Sequence, residues 1–158
     1  MEKGVKIRSA NKRDIRDLIF LHTELSNYLR RYSKVYKKGE STSSAFYKFL
    51  KNNLKNPKVK VLVAEYHRKV IGFYIGEIET VTALYVTRQM GFLHDGYLMA
   101  EYRGLKIGKK LFETLMNWFR EHKIKYVEVV VDKNNRVGVD AWKKFGFIES
   151  QKVMRIKL

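Results

Sequence analysis

Apolar positions recur along the chain with two different periods, and the change of period divides it. Over 12–29, Ile15, Leu18, Ile19, Leu21, Leu25, Tyr28 and Leu29 fall at helical spacing, with Asn11 or Asp14 placed to cap the start. A short strand, 5–10, precedes this helix. The polar, basic stretch 30–44 carries Gly39 and reads as a loop. Ser43 or Ser44 can cap a second helix over about 44–55, with Phe46, Phe49, Leu50 and Leu54 inward. After Pro57 the character changes. VKVLVAEY (59–66) and VIGFYIGEIET (70–80) are β-branched and aromatic, and the short polar turn between them predicts a hairpin. FLHDGYLMA (92–100) is a third strand-like run. Helical spacing returns over 107–122 through Ile107, Leu111, Phe112, Leu115, Trp118 and Phe119. YVEVVV (126–131) predicts a buried strand. Val137, Ala141, Trp142 and Phe145 mark one face of a short helix, and FIESQKVMRIKL (147–158) predicts a closing strand.

The element order is that of an α/β protein with a mixed sheet. The 92–100, 107–122 and 126–131 segments form a parallel crossover, and the hairpin is antiparallel. A length of 158 residues suits one domain. No run reaches the ~18 apolar residues of a membrane span, and the first residues lack the apolar core of a leader. The expectation is a cytoplasmic protein without membrane association. The absence of cysteine excludes disulfides, thiolate nucleophiles and cysteine metal sites. His22, His67, His94 and His122 show no ligand spacing, so no metal is expected.

Charge adds a partner question. The net charge is +17, and residues 1–60 hold 16 Lys and Arg against 5 Asp and Glu. An acidic protein or a nucleic-acid-associated partner would fit such an excess; so would a Lys-rich solvated surface. The basic, aromatic stretch Tyr28–Tyr47 carries most of the interleaved cations and tyrosines.

EYRGLKIGKKL (101–111) is the stretch with phosphate chemistry in it. A P-loop needs four residues between its glycines and a hydroxyl after the lysine; here three separate Gly104 from Gly108, and Lys110 takes the hydroxyl's place. A dinucleotide fingerprint needs a third glycine on an early turn. What remains is a strand-to-helix turn, which aims free amides and a positive dipole at one spot, amid Arg103, Lys106, Lys109 and Lys110. A pyrophosphate fits, and so does a plain packing turn.

The segment 98–131 resembles the acetyl-CoA-binding core of the GNAT superfamily of N-acetyltransferases, whose motif is Gln/Arg-x-x-Gly-x-Gly/Ala. Arg103 and Gly108 match its ends, and Lys106 stands where the first glycine would be. The hairpin VLVAEYHRKVIGFYIGEIE (61–79) resembles the family's central hairpin. NRVGVDAWKKFGF resembles its N-x-x-A-x-x-F-Y-x-K-x-G-F pattern at Asn135, Lys144, Gly146 and Phe147, departing at Gly138, Ala141 and Trp142. The resemblance implies a mostly antiparallel sheet of six to seven strands with a splayed parallel pair, flanked by about four helices. It implies one domain, 1–158, with the acceptor side in 1–58 and the acetyl-CoA core in 59–158.

The implied activity is transfer of an acetyl group from acetyl-CoA to a primary amine, on a protein, peptide or small molecule, by direct attack in a ternary complex. The pyrophosphate is expected on Arg103, Gly104, Leu105, Lys106, Ile107, Gly108 and Lys109, the pantetheine arm on Leu98, Met99 and Ala100, with Asn135 and Lys144 completing the cofactor side. The Leu98 amide is the expected oxyanion donor. Candidate bases are Asp95, His94, Glu77 and Glu79. Trp142 replaces the tyrosine that in the family protonates the leaving thiolate, and an indole N–H is no acid. The thiolate then leaves unaided beside Trp142, or Tyr97 or Tyr102 serves, or the chain transfers poorly. Dimers are frequent among such proteins, so a homodimer is a further expectation. The rival class is a non-catalytic acetyl-CoA-binding or basic nucleic-acid- or protein-binding module on the same fold.

Overall fold

A computed structural model describes residues 4–158. Its sheet runs β1 (Lys6–Ser9), β2 (Val59–Tyr66), β3 (Lys69–Thr80), β4 (Gln89–Leu98) and β5 (Val127–Val129), in that spatial order. The first four strands pair antiparallel, and β4 pairs with β5 in parallel. Four α-helices cover it: α1 (Ile15–Leu29), α2 (Ser43–Asn53), α3 (Ile107–Glu121) and α4 (Arg136–Lys144).

Strand alternation sorts the core into two layers. Phe73 and Ile75 of β3 meet Leu18, Leu21 and Leu25 of α1 and Phe46 and Leu50 of α2. On the other face, Tyr74 and Ile78 meet Ile107, Leu111, Leu115 and Phe119 of α3. Gly76 and Gly91 let α3 approach: a Cβ on either would come within 2.7 Å of Leu115 and 2.6 Å of Phe119, respectively. The start of α1 is pinned to the sheet through Arg8, which donates to Asp14 at 2.7 Å and to Glu65 at 2.8 Å.

Two irregularities prepare the site. The β3–β4 register shifts between Ile75 and Gly76, which face Asp95 and Leu93. His94 is therefore the extra residue of a β-bulge, and the bulge lets His94 and Asp95 share the α1/α2 face. The second irregularity is a splay. Pairing of β4 with β5 ends at Leu93 and Val129, so β4 continues to Leu98 with no β5 partner in its ladder.

The segment 147–158 forms no strand, so the sheet has five strands among the described residues rather than six or seven. Ile148, Met154, Ile156 and Leu158 are all exposed. Alternation alone cannot make a strand: it needs a neighbouring edge and an apolar surface beneath. β5 offers three ladder residues, and beyond Phe147, which packs on Phe112 and Trp142, the tail is held by polar contacts of Glu149 with Lys143 and of Gln151 with Tyr85. Other boundaries move slightly. β4 begins at Gln89, because Gln89 to Gly91 find partners on β3, and it ends at Leu98, so Ala100 belongs to a short 3-10 turn. No helix among the described residues is long and apolar enough to cross a membrane.

Candidate active site

The turn from β4 into α3 builds one half of the site. Gly104 has φ 78° and Lys106 φ 57°, both left-handed, and Lys106 is the N-cap of α3 without a side-chain cap bond. The first-turn amides of α3 are thus not covered by a capping side chain, the arrangement that suits an anion. Ile107 is fully buried and anchors the helix start. The Tyr74 hydroxyl lies under it: a Cβ on Gly108 would stand 3.7 Å from that oxygen. Burial pushes the Tyr74 phenol up to about 12.

The free edge of β4 lies beside this turn. Met99 N–H donates to Ile71 O at 3.0 Å, so alternation along the strand turns the N–H and C=O of Leu98 to the opposite edge, beyond the end of the β5 ladder. Arg103 Nε donates to Leu98 O at 2.9 Å, and its guanidinium lies over the rings of Tyr97 and Tyr28 at 5.4 and 5.6 Å. The Arg103 side chain is therefore directed to α1. Leu98, Arg103, Gly104, Leu105, Lys106, Ile107, Gly108 and Lys109 come together here, with Met99 and Ala100 in the connecting turn. Asn135 is buried at the start of α4, where its Oδ1 accepts from Gly138 N at 3.0 Å and from Tyr28 Oη at 3.1 Å. Lys144 is exposed in the last turn of that helix, about two and a half turns from Asn135.

The other half is a cavity of about 340 Å³ lined by Phe46, Phe49, Ile75, Glu77, His94 and Asp95. The bulge makes it acidic on one wall. His94 Nε2 lies 3.4 Å from Glu77 and 3.1 Å from Glu79, and each short contact is an imidazole–carboxylate pair. Burial pushes the Asp95 carboxyl up, against the opposing charges of His22 and His94. The four candidate bases thus gather on one face, as a local acidic patch on a chain of net charge +17.

Trp142 sits against Tyr74, Phe145 and Phe147, with ring centroids 5.9, 5.9 and 5.7 Å away. Tyr102 packs edge-on against Tyr66, and Tyr97 lies under Arg103. Sequence reasoning missed four polar residues: His22, Thr42, Tyr28 and Tyr74. His22 left a trace, because it sits four residues after Leu18 and three before Leu25 on an otherwise apolar stripe. The others read as ordinary polar or core positions.

A family model described as the acetyltransferase (GNAT) family matches residues 22–147. The chain belongs to that family. It is an acyltransferase, with acetyl-CoA as its cosubstrate. An uncharacterized N-acetyltransferase of Archaeoglobus fulgidus is 27% identical over 131 residues, covering 83% of this chain and 84% of that protein. The fold is shared with an aminoglycoside N-acetyltransferase solved with CoA, at TM-score 0.79 and 15% identity over 98% of this chain and 94% of that one. A predicted acetyltransferase from Clostridium acetobutylicum, solved with acetyl-CoA, gives TM-score 0.78 and 19% identity over 97% and 96%. The residues present fit the cosubstrate. The uncapped start of α3 with Lys106 and Lys109 suits its phosphates, and the outward Leu98 N–H suits its amide-bearing arm.

Proposed function

We propose that this acetyltransferase acts on a primary amine that arrives as a cation and docks its nitrogen at Glu77, His94 and Asp95. The carrying observation is the acidic wall of the 340 Å³ cavity in a chain of net charge +17. Neutral and anionic acceptors gain nothing from that wall, whereas an ammonium gains Coulomb attraction that the low-dielectric, aromatic surroundings of Phe46 and Phe49 strengthen. The volume suits a small amine or one amine-bearing side chain or terminus. The aminoglycoside acetyltransferase of the same fold acts, by its name, on a polycationic amine, which is consistent with this charge preference. Residues 1–58 cover the acceptor side through α1 and α2, while its acidic wall, Glu77, His94 and Asp95, lies in 59–158 together with the cofactor side.

Bound acetyl-CoA supplies the acetyl group as a thioester, and the transfer is direct. Glu77 and Glu79, held by His94, orient the ammonium. Asp95, whose carboxyl burial has made a better proton acceptor, takes its proton. The Leu98 N–H, on the free edge of β4, donates to the oxygen that gains charge as the amine attacks. No acidic side chain is needed for the leaving group, because an ordinary thiol pKa near 8.5 lets it depart as thiolate. Trp142 shapes that end of the gap by packing.

Two measurements test this reading. CoA at about 100 times its Kd should stabilise the protein by ~2.7 kcal/mol. Thiol release should then be assayed across peptides, amino acids, polyamines and aminoglycosides, with Glu77→Gln and Asp95→Asn beside the wild type. Turnover on cationic amines that collapses in both variants supports the proposal. Stabilisation by CoA without turnover on any amine would favour a binding module instead.

A further inference from the structure

His22 stands behind Asp95 and outside the cavity wall. Its ring stacks on Phe46 with centroids 3.8 Å apart and planes 10° apart, so the imidazole is fixed in orientation. Its Nδ1 lies 3.2 Å from Thr42 Oγ1, and its Nε2 lies 3.8 Å from Asp95 Oδ2. The Thr42 hydroxyl proton is already committed, since Thr42 donates to Gly39 O at 2.7 Å. Thr42 Oγ1 can then only accept from His22, which places the neutral imidazole's proton on Nδ1. The lone pair of Nε2 is left facing the Asp95 carboxylate. At 3.8 Å the two acceptors are beyond hydrogen-bond reach but close enough that protonating either one changes the charge the other meets.

We infer that His22 and Asp95 form a proton-holding pair, its tautomer fixed by Thr42, that takes up the proton an incoming ammonium sheds. This rests on the acceptor reading above. The N–H bond of the ammonium breaks and leaves its electron pair on nitrogen for attack. The proton bonds to an Asp95 oxygen, 3.8 Å from the lone pair of His22 Nε2. It returns to the departing thiolate or to water as the products leave. His22 is a positioning residue, because it acts through Asp95. The other ionisable groups facing Asp95 are His94 on its own strand and Glu77 on β3; Glu79 acts through His94. α2 presents Phe46 and Phe49. Burial lowers the proton affinity of His22 and raises that of Asp95, each shift opposed by the partner's charge.

The test uses the intact protein, with His22→Gln and Thr42→Val. In the wild type, 15N NMR should show neutral His22 protonated on Nδ1, and Thr42→Val should shift population to the Nε2–H tautomer. The 13C titration of the Asp95 carboxyl should change its midpoint in His22→Gln, because the group whose protonation is linked to its own is gone. The acidic limb of kcat/KM for the amine should move with it, while CoA binding is unchanged. An Nε2–H tautomer in the wild type overturns the inference. So does an Asp95 titration that ignores His22→Gln, with activity falling equally at all pH values, as a structural role would give. If Asp95→Asn turns over amines with an unaltered pH profile, the acceptor reading fails instead. The NMR readouts need no acceptor, so they decide the pair either way.

Discussion

Tyr28 Oη donates to Asn135 Oδ1 across 3.1 Å, joining the last turn of α1 to the first of α4 over 107 residues of sequence. Tyr32 Oη in turn donates to Tyr28 Oη at 3.0 Å. The contact spans the side of the molecule where β4 and β5 part. Burial, the Tyr32 hydrogen bond and its charge push the Tyr28 phenol up to about 12, against Arg103 and Arg31, so it stays a donor throughout the working range.

Tyr28→Phe should therefore lower stability by about 1 kcal/mol. Asn135→Ala should cost about 1–2 kcal/mol, because the α4 cap is lost too. Urea titrations of both and of the double variant give the coupling. If the double variant loses the sum of the two single effects, the hydrogen bond carries no energy of its own.

Lys106→Gly separates backbone from charge. A left-handed lysine costs roughly 1 kcal/mol, which glycine relieves at some cost in unfolded-state entropy. The variant should unfold at equal or higher temperature. Its KM for acetyl-CoA should rise at low salt, and the difference should shrink as salt screens the lost cation. An unchanged KM at every ionic strength would show that the Lys106 side chain leaves the phosphates alone.

Trp142→Phe and Trp142→Tyr address the leaving group. If packing is this residue's role, kcat for Trp142→Phe stays within about threefold of wild type across pH. A tyrosine that raises turnover on the alkaline side would show that thiolate departure limits the reaction. A collapse of turnover in Trp142→Phe, with CoA binding intact, would give the indole N–H a direct part.

Acid sensitivity should trace to Asp14. Burial acts to raise its carboxyl, but hydrogen bonds from Arg8 and the Asn11 amide, with the charge of Arg8, outweigh it and hold the group below its ordinary value. A depressed carboxylate contributes fully above the unfolded value near 3.9 and loses its contribution as pH falls through the folded value. Stability should drop below about pH 4. Asp14→Asn should be less stable at pH 7 by about 2–3 kcal/mol. The gap to wild type should close as the pH falls, which chemical denaturation at pH 7 and pH 3 would measure.

Much of this molecule could be read from residue types alone, and particular residues show where that stops. Ile107, Leu111, Leu115 and Phe119 announced α3 and its buried face, which the structure bears out. Arg103 and Gly108 announced the turn, yet not that the Arg103 guanidinium would lie on Tyr28 and Tyr97. Lys106 stands where the family has a glycine, and it adopts the left-handed conformation that glycine favours. The tail 147–158 had the alternation of a strand and forms none, because whether alternation becomes a strand depends on the edge beside it.

The sequence by itself determined the periods, hence the helices, the first strands and the two apolar layers, since these follow from local geometry and from which side chains avoid water. It also determined the late strand-to-helix turn and its cations. Tertiary structure alone decided the bulge at His94, the splay after Leu93, and the meeting of His22, Glu77, Glu79, His94 and Asp95. Those depend on the register between strands and on how α1 lies across them. A one-residue shift in that register would turn Asp95 away from His22, and no local preference of either residue records which register is adopted.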